Sequence, residues 1–92
     1  MPRRYRSRVG ILLSILETIH REEYATITEI VVKANIPHDR LKIILDRLLR
    51  EEYVELIEER DRKYYTLTPS GYKLMRELQK IKRLMDELGL SL

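Results

Sequence analysis

The chain has 92 residues, 43% of them hydrophobic and 36% charged, with a formal net charge of +3. That gives room for one small domain, too apolar for disorder and small enough to gain from a partner chain. The absence of cysteine excludes a disulfide framework and thiolate metal ligands, and the apolar runs are too short for a transmembrane helix or a signal-peptide core, so a soluble, cytoplasmic protein is expected.

Ser7 is placed to cap a first helix whose apolar positions Ile11, Leu12, Ile15, Leu16 and Ile19 form one stripe, ending near His20 to Glu23. Tyr24 and Ala25 read as an extended connector or a very short strand. Thr26 and Glu29 stand in capping-box register, and Ile27, Ile30, Val31 and Ala34 follow at the spacing of a short helix facing the core. Asn35 tolerates left-handed backbone, and Ile36 is disfavoured in a helix because Pro37 follows it.

A third helix starts at Pro37 to Asp39, with the stripe Leu41, Ile44, Leu45, Leu48 and Leu49. Its other face carries His38, Asp39, Lys42, Ile43, Asp46 and Arg50, with Arg40 and Arg47 at the margins. Ile43 is an odd residue for a merely solvated surface. The period then changes: "YVELIEE" and "KYYTLT" read as two strands around the polar "ERDRK", with Tyr65 and Leu67 on one face. The tip lacks Gly and Asn, which leaves its turn type open.

Thr68 caps a last helix with Pro69 at its first position, and Gly71 lets that helix pack closely on a neighbour. Leu74, Leu78, Ile81, Met85 and Leu88 recur in alternating steps of four and three, the spacing of a coiled-coil seam, and Gly89 ends the run. The expected fold is mainly α with a small β-hairpin. Residues 1–68 form a winged helix-turn-helix with a basic N-terminal arm, and residues 69–92 form a dimerisation helix.

Nothing in this order supplies catalysis. His20 and His38 sit in different elements without a carboxylate at ligand spacing, and the isolated glycines make no phosphate loop. An enzyme, a metal and a cofactor are therefore not expected. Charge is instead segregated: Arg3, Arg4, Arg6 and Arg8 make a basic arm, Glu51, Glu52, Glu55, Glu58 and Glu59 an acidic stretch, and Arg60, Arg62 and Lys63 a basic tip.

The segment "ATITEIVVKANIPHDRLKIILDRLLREEYVE" resembles the second helix, turn and recognition helix of archaeal winged-helix DNA-binding proteins of the Sulfolobus 10a type. "KYYTLTPSGYKLMREL" resembles the second wing strand and dimerisation helix of that family, and the likeness spans roughly residues 7 to 88. The resemblance implies a homodimer joined by antiparallel packing of the last helices. It also implies binding to double-stranded DNA in a regulatory or chromatin-like role, associated with the nucleoid. Three positions depart from the family pattern: Pro37 stands where a capping Ser is frequent, Glu52 where Gly is usual, and Ser70 where Lys is frequent.

The first turns of a recognition helix enter the major groove, which makes His38, Asp39, Arg40, Lys42 and Ile43 candidates for base or near-base contact. Arg47 and the arm residues Arg3, Arg4 and Arg6 are further DNA-binding candidates, and the wing residues Arg60, Arg62 and Lys63 are placed to straddle phosphates or to dip into the minor groove. Leu74, Leu78, Ile81, Leu84, Met85 and Leu88 are the candidate dimer interface, although Leu74 and Leu78 could equally belong to the monomer core. Two other readings stay open. One is a protein-interaction module in a larger assembly, favoured by the acidic stretch; the other is a helix that pairs with a different chain.

Overall fold

A computed structural model describes residues 6–90. Its elements are α1 (Arg8–Glu22), α2 (Ile27–Lys33), α3 (His38–Arg50), β1 (Val54–Glu59), β2 (Arg62–Leu67) and α4 (Pro69–Glu87). Local chemistry explains most of the boundaries. The Gly10 amide donates to the Ser7 hydroxyl at 3.0 Å, and the Gly71 amide to the Thr68 hydroxyl at 3.0 Å. At α2 the capping box closes fully: the Glu29 amide donates to Thr26 Oγ1 at 3.2 Å, and the Thr26 amide to Glu29 Oε1 at 2.9 Å. That backbone donor holds the Glu29 carboxyl below its ordinary value. The stabilisation from this pair is therefore present above the unfolded carboxylate range and is lost as pH falls through the depressed value.

Four connections run through positive-φ backbone on residues other than glycine. The first is Glu23 (φ 65°), which ends α1 with its amide on the His20 carbonyl at 3.3 Å. Asn35 (φ 53°) ends α2, and the Ile36 amide reaches back to the Val31 carbonyl at 3.1 Å. Glu52 (φ 62°) ends α3 in the same way, with the Tyr53 amide on the Leu48 carbonyl at 2.9 Å. Asn suits that conformation, whereas Glu does not. The fourth is the hairpin tip, where Arg60 (φ 50°) and Asp61 (φ 64°) are both left-handed. Two positive-φ residues between Glu59 and Arg62, which are register partners, define a type I′ turn. The turn type that the sequence left open is thus the one matched to strand twist, built without glycine.

Helix α1 is central. Leu13 and Thr18 are buried along with Ile11, Ile15, Leu16 and Ile19, because α2, β2 and α4 all pack against this helix. The Thr18 hydroxyl is satisfied by the Ser14 carbonyl at 2.8 Å. Ala25, Ile30, Ala34, Ile36, Leu41, Leu45, Leu48, Val54, Tyr65 and Met75 complete the core. The connector before α2 joins the sheet at one point: the Ala25 and Tyr65 amides each donate to the other residue's carbonyl, at 2.9 and 2.8 Å.

Gly71 fixes where α4 meets the base of the hairpin. A β-carbon there would lie 1.9 Å from the Tyr53 carbonyl oxygen, so no side chain fits while the backbone holds its place. The same Tyr53 carbonyl accepts the Thr68 amide at 3.1 Å, and the Thr68 hydroxyl donates to the Glu52 carbonyl at 2.6 Å. The wing base and the start of α4 are one hydrogen-bonded joint. At its other end α4 closes on Gly89 (φ 74°), with the Leu90 amide on the Met85 carbonyl at 2.7 Å.

Candidate nucleic-acid interface

Helix α3 is presented at the surface by Leu41, Leu45 and Leu48, which are buried on its inner side. Every candidate on its outer side is exposed: His38, Asp39, Arg40, Lys42, Ile43 and Arg47. At about 100° per residue the set divides into two. Arg40, Ile43 and Arg47 turn toward α1 and α4, while His38 and Lys42 turn the other way. Pro37 precedes α3 without a side-chain cap, so the first-turn amides receive no help from that residue. Asp39 supplies negative charge to that turn instead, and its Oδ1 lies 3.8 Å from His38 Nδ1.

The cations of this face are uncommitted. Among the described residues the ion pairs are Lys33–Glu22, His38–Asp39, Lys80–Glu77 and Lys82–Asp86, and none uses Arg40, Lys42, Arg47 or Arg50.

The wing is arranged differently. Register places Glu58 opposite Lys63 and Glu59 opposite Arg62, and Asp61 shares the turn with Arg60. From 58 to 63 three cations (Arg60, Arg62, Lys63) face three carboxylates (Glu58, Glu59, Asp61), a local net charge of zero. Arg60 and Arg62 do come together, lining a shallow depression with Glu59 and Tyr64. Tyr65 points inward and is buried; desolvation pushes its phenol above the ordinary value, so it is not a surface group.

Arg6 is neither free nor on the wing. Its guanidinium donates to the Ala34 carbonyl at 2.7 Å and to the Asn35 carbonyl, fastening the arm to the turn between α2 and α3. Sequence reasoning missed this role, because nothing in an arginine-rich arm marks one residue as the partner of a distant carbonyl. Arg3 and Arg4 lie outside the described residues.

A groove of about 610 Å³ runs beside α3. Leu12, Ile44, Leu48, Tyr53 and Leu74 are part of its apolar floor, Ile43 stands at its edge, and Arg8, Arg40 and Arg47 rim it with Glu51. It was not legible along the chain, since it assembles from α1, α3, the wing base and α4. Among the described residues no group of three or more acidic or histidine side chains is placed to hold a metal ion, and no helix is long and apolar enough to cross a membrane.

The α4 interface candidates also divide. Leu74 and Leu78 pack on the core and Met85 is half-buried, while Ile81, Leu84 and Leu88 are 46%, 58% and 72% exposed.

The family described as Winged helix-turn-helix matches residues 5–86. Sso10a-2, a DNA-binding protein from Sulfolobus solfataricus, superposes with a TM-score of 0.82 at 25% identity, over 90% of this chain and 85% of that one. AF1382 from Archaeoglobus fulgidus gives 0.70 at 29% identity, over 80% and 86%. MepR, a transcription regulator of the Staphylococcus aureus multidrug efflux pump MepA, shares the fold with a TM-score of 0.73 at 21% identity. The alignment covers 86% of this chain and 61% of MepR. No curated protein sequence matches significantly.

Proposed function

The chain belongs to the winged helix-turn-helix family, and from that membership we propose that it binds double-stranded DNA as a homodimer, as a transcription regulator or an architectural protein of the nucleoid. The observation that carries this reading is the exposed face of α3, where Arg40, Lys42, Arg47 and Arg50 project without a carboxylate partner among the described residues. The likeness to a Sulfolobus DNA-binding protein supports it.

In this reading the first turns of α3 enter the major groove. Arg40 and Lys42 reach guanine edges or phosphate, and His38, Asp39 and Ile43 lie against the bases. Arg47, the wing cations Arg60, Arg62 and Lys63, and the arm residues Arg3 and Arg4 contact phosphate, while Arg6 steadies the helix-turn-helix from behind. The chain acts by binding rather than by catalysis. The exposed Ile81, Leu84 and Leu88 support the dimer, because an apolar strip left on a small domain signals a partner. With Leu74, Leu78 and Met85 they form the seam.

The charge-neutral wing favours a second reading, a protein-interaction module that does not bind DNA. Gel retardation of a random-sequence duplex by the purified protein at low salt separates the two. DNA binding gives a retarded band that fades as salt rises; no complex at low salt removes the DNA reading and leaves the assembly module.

A further inference from the structure

Two features of the single chain break local electrostatic rules. The last turn of α4 holds Asp86 and Glu87 and no cation, although a helix C-terminus favours positive charge. The first turn of α1 holds Arg8 and no carboxylate, although a helix N-terminus favours negative charge. Apolar surface is misplaced in the same two regions. Leu88 and Leu90, beside the acidic pair, are 72% and 54% exposed, while Ile43, beside Arg8 on the groove, is 73% exposed. One contact would repair all four.

We propose that the C-terminal tip of one copy, residues 85–90, seats in the groove between α1, α3 and α4 of a second copy. Leu88 and Leu90 cover the floor of Leu12, Ile44, Tyr53 and Leu74, and Glu87 meets Arg8 and Arg47 on the rim, Asp86 being already paired with Lys82 of its own helix. The inference rests on the homodimer reading and adds what the dimer does at its ends. Register supports it. Leu74 and Leu88 each lie seven residues from Ile81, about 10 Å along the axis on the same face. Antiparallel helices crossing at Ile81 therefore set the partner's Leu88 over Leu74, which lines the groove. A parallel pair would instead bring two acidic tips together. The antiparallel contact occurs twice in a two-fold dimer, as an isologous interface requires. It also moves Ile43 and Arg47 from the DNA footprint to the dimer, leaving His38, Asp39, Arg40 and Lys42 in the first turns of α3 for DNA.

Because the chain has no cysteine, introduced thiols report cleanly. The double variant Ile43→Cys with Leu90→Cys, treated with a short bis-maleimide at a concentration where sedimentation shows dimer, should give mostly covalent dimer. Each single variant should give little. Both positions are exposed, so the fold should survive, with circular dichroism as the check. In parallel, Ile81→Cys alone should cross-link across the two-fold axis. Cross-linking through Ile81→Cys but not through the double variant would overturn the tip contact and keep the homodimer; a monomer by sedimentation would overturn both. Leu88→Asp with Leu90→Asp removes four leucines from the dimer and should weaken dimerisation by well over 10-fold, since about 10-fold follows from losing a single buried leucine, and an unchanged dissociation constant would also contradict the tip contact.

Discussion

Helix α3 and the β-wing are the two arms a winged helix can offer to DNA, and in this chain they differ in charge. The outer face of α3 and its margins carry four cations, Arg40, Lys42, Arg47 and Arg50, against two carboxylates, Asp39 and Asp46. The wing tip carries three of each, set opposite one another by strand register and by the turn. A basic hairpin tip read along the chain is thus neutral once folded, because pairing brings in glutamates from the other strand. In the DNA reading we propose, α3 dominates affinity even with Arg47 given to the dimer, and the wing contributes position more than attraction.

Detaching the wing should have the largest effect. Gly71→Ala puts a methyl group into the Tyr53 carbonyl, so either the wing base or α4 must move. We expect a loss of about 2–3 kcal/mol or more, typical of overpacking with backbone displacement, read as a large fall in Tm. A variant as stable as the parent would show that the joint is soft. The next effect acts on α3. Arg40→Ala with Lys42→Ala should weaken DNA binding by about 10- to 100-fold near 0.1 M salt, the loss of two phosphate-range contacts. Arg62→Ala with Lys63→Ala should cost less, about 3- to 10-fold, equally on all duplexes. If the wing pair costs more than the α3 pair, the ranking of the two arms is reversed. Glu58→Gln with Glu59→Gln sharpens the same point, and should tighten binding several-fold by unmasking the wing cations. The smallest effect concerns the connection between the arms. Glu52→Gly relieves left-handed backbone and should add about 1 kcal/mol of stability without altering DNA affinity; no gain in Tm would mean the Glu52 side chain contributes something that offsets its strain.

What the sequence disclosed follows from the range of the interaction involved. Ser7, Thr26 with Glu29, Thr68 with Pro69, and Asn35 act within one turn of themselves, and each does in the structure what its local chemistry implies. Leu13, Thr18 and Met75 were not legible as core, because a single apolar stripe describes a helix packed on one side, and α1 is contacted from several. The type I′ turn was hidden because Arg60 and Asp61 lack the usual residue signature. Arg6 and the groove beside α3 depend on contacts between residues far apart in sequence. The candidate site was therefore visible as a set of residues, but its division into a charged helix, a neutral wing and a groove was not.

In the DNA reading we propose, α3 delivers net positive charge to the duplex and the wing delivers little. The salt dependence of duplex binding, measured by fluorescence anisotropy on one random-sequence DNA, separates the two contributions. For the parent protein log affinity should fall linearly with log salt, and Arg40→Ala with Lys42→Ala should make that slope shallower by about 2, roughly 0.9 per lost contact. Arg62→Ala with Lys63→Ala should reduce it by less. A slope that is unchanged when the α3 cations are removed, or an absence of binding at any salt, would contradict the account.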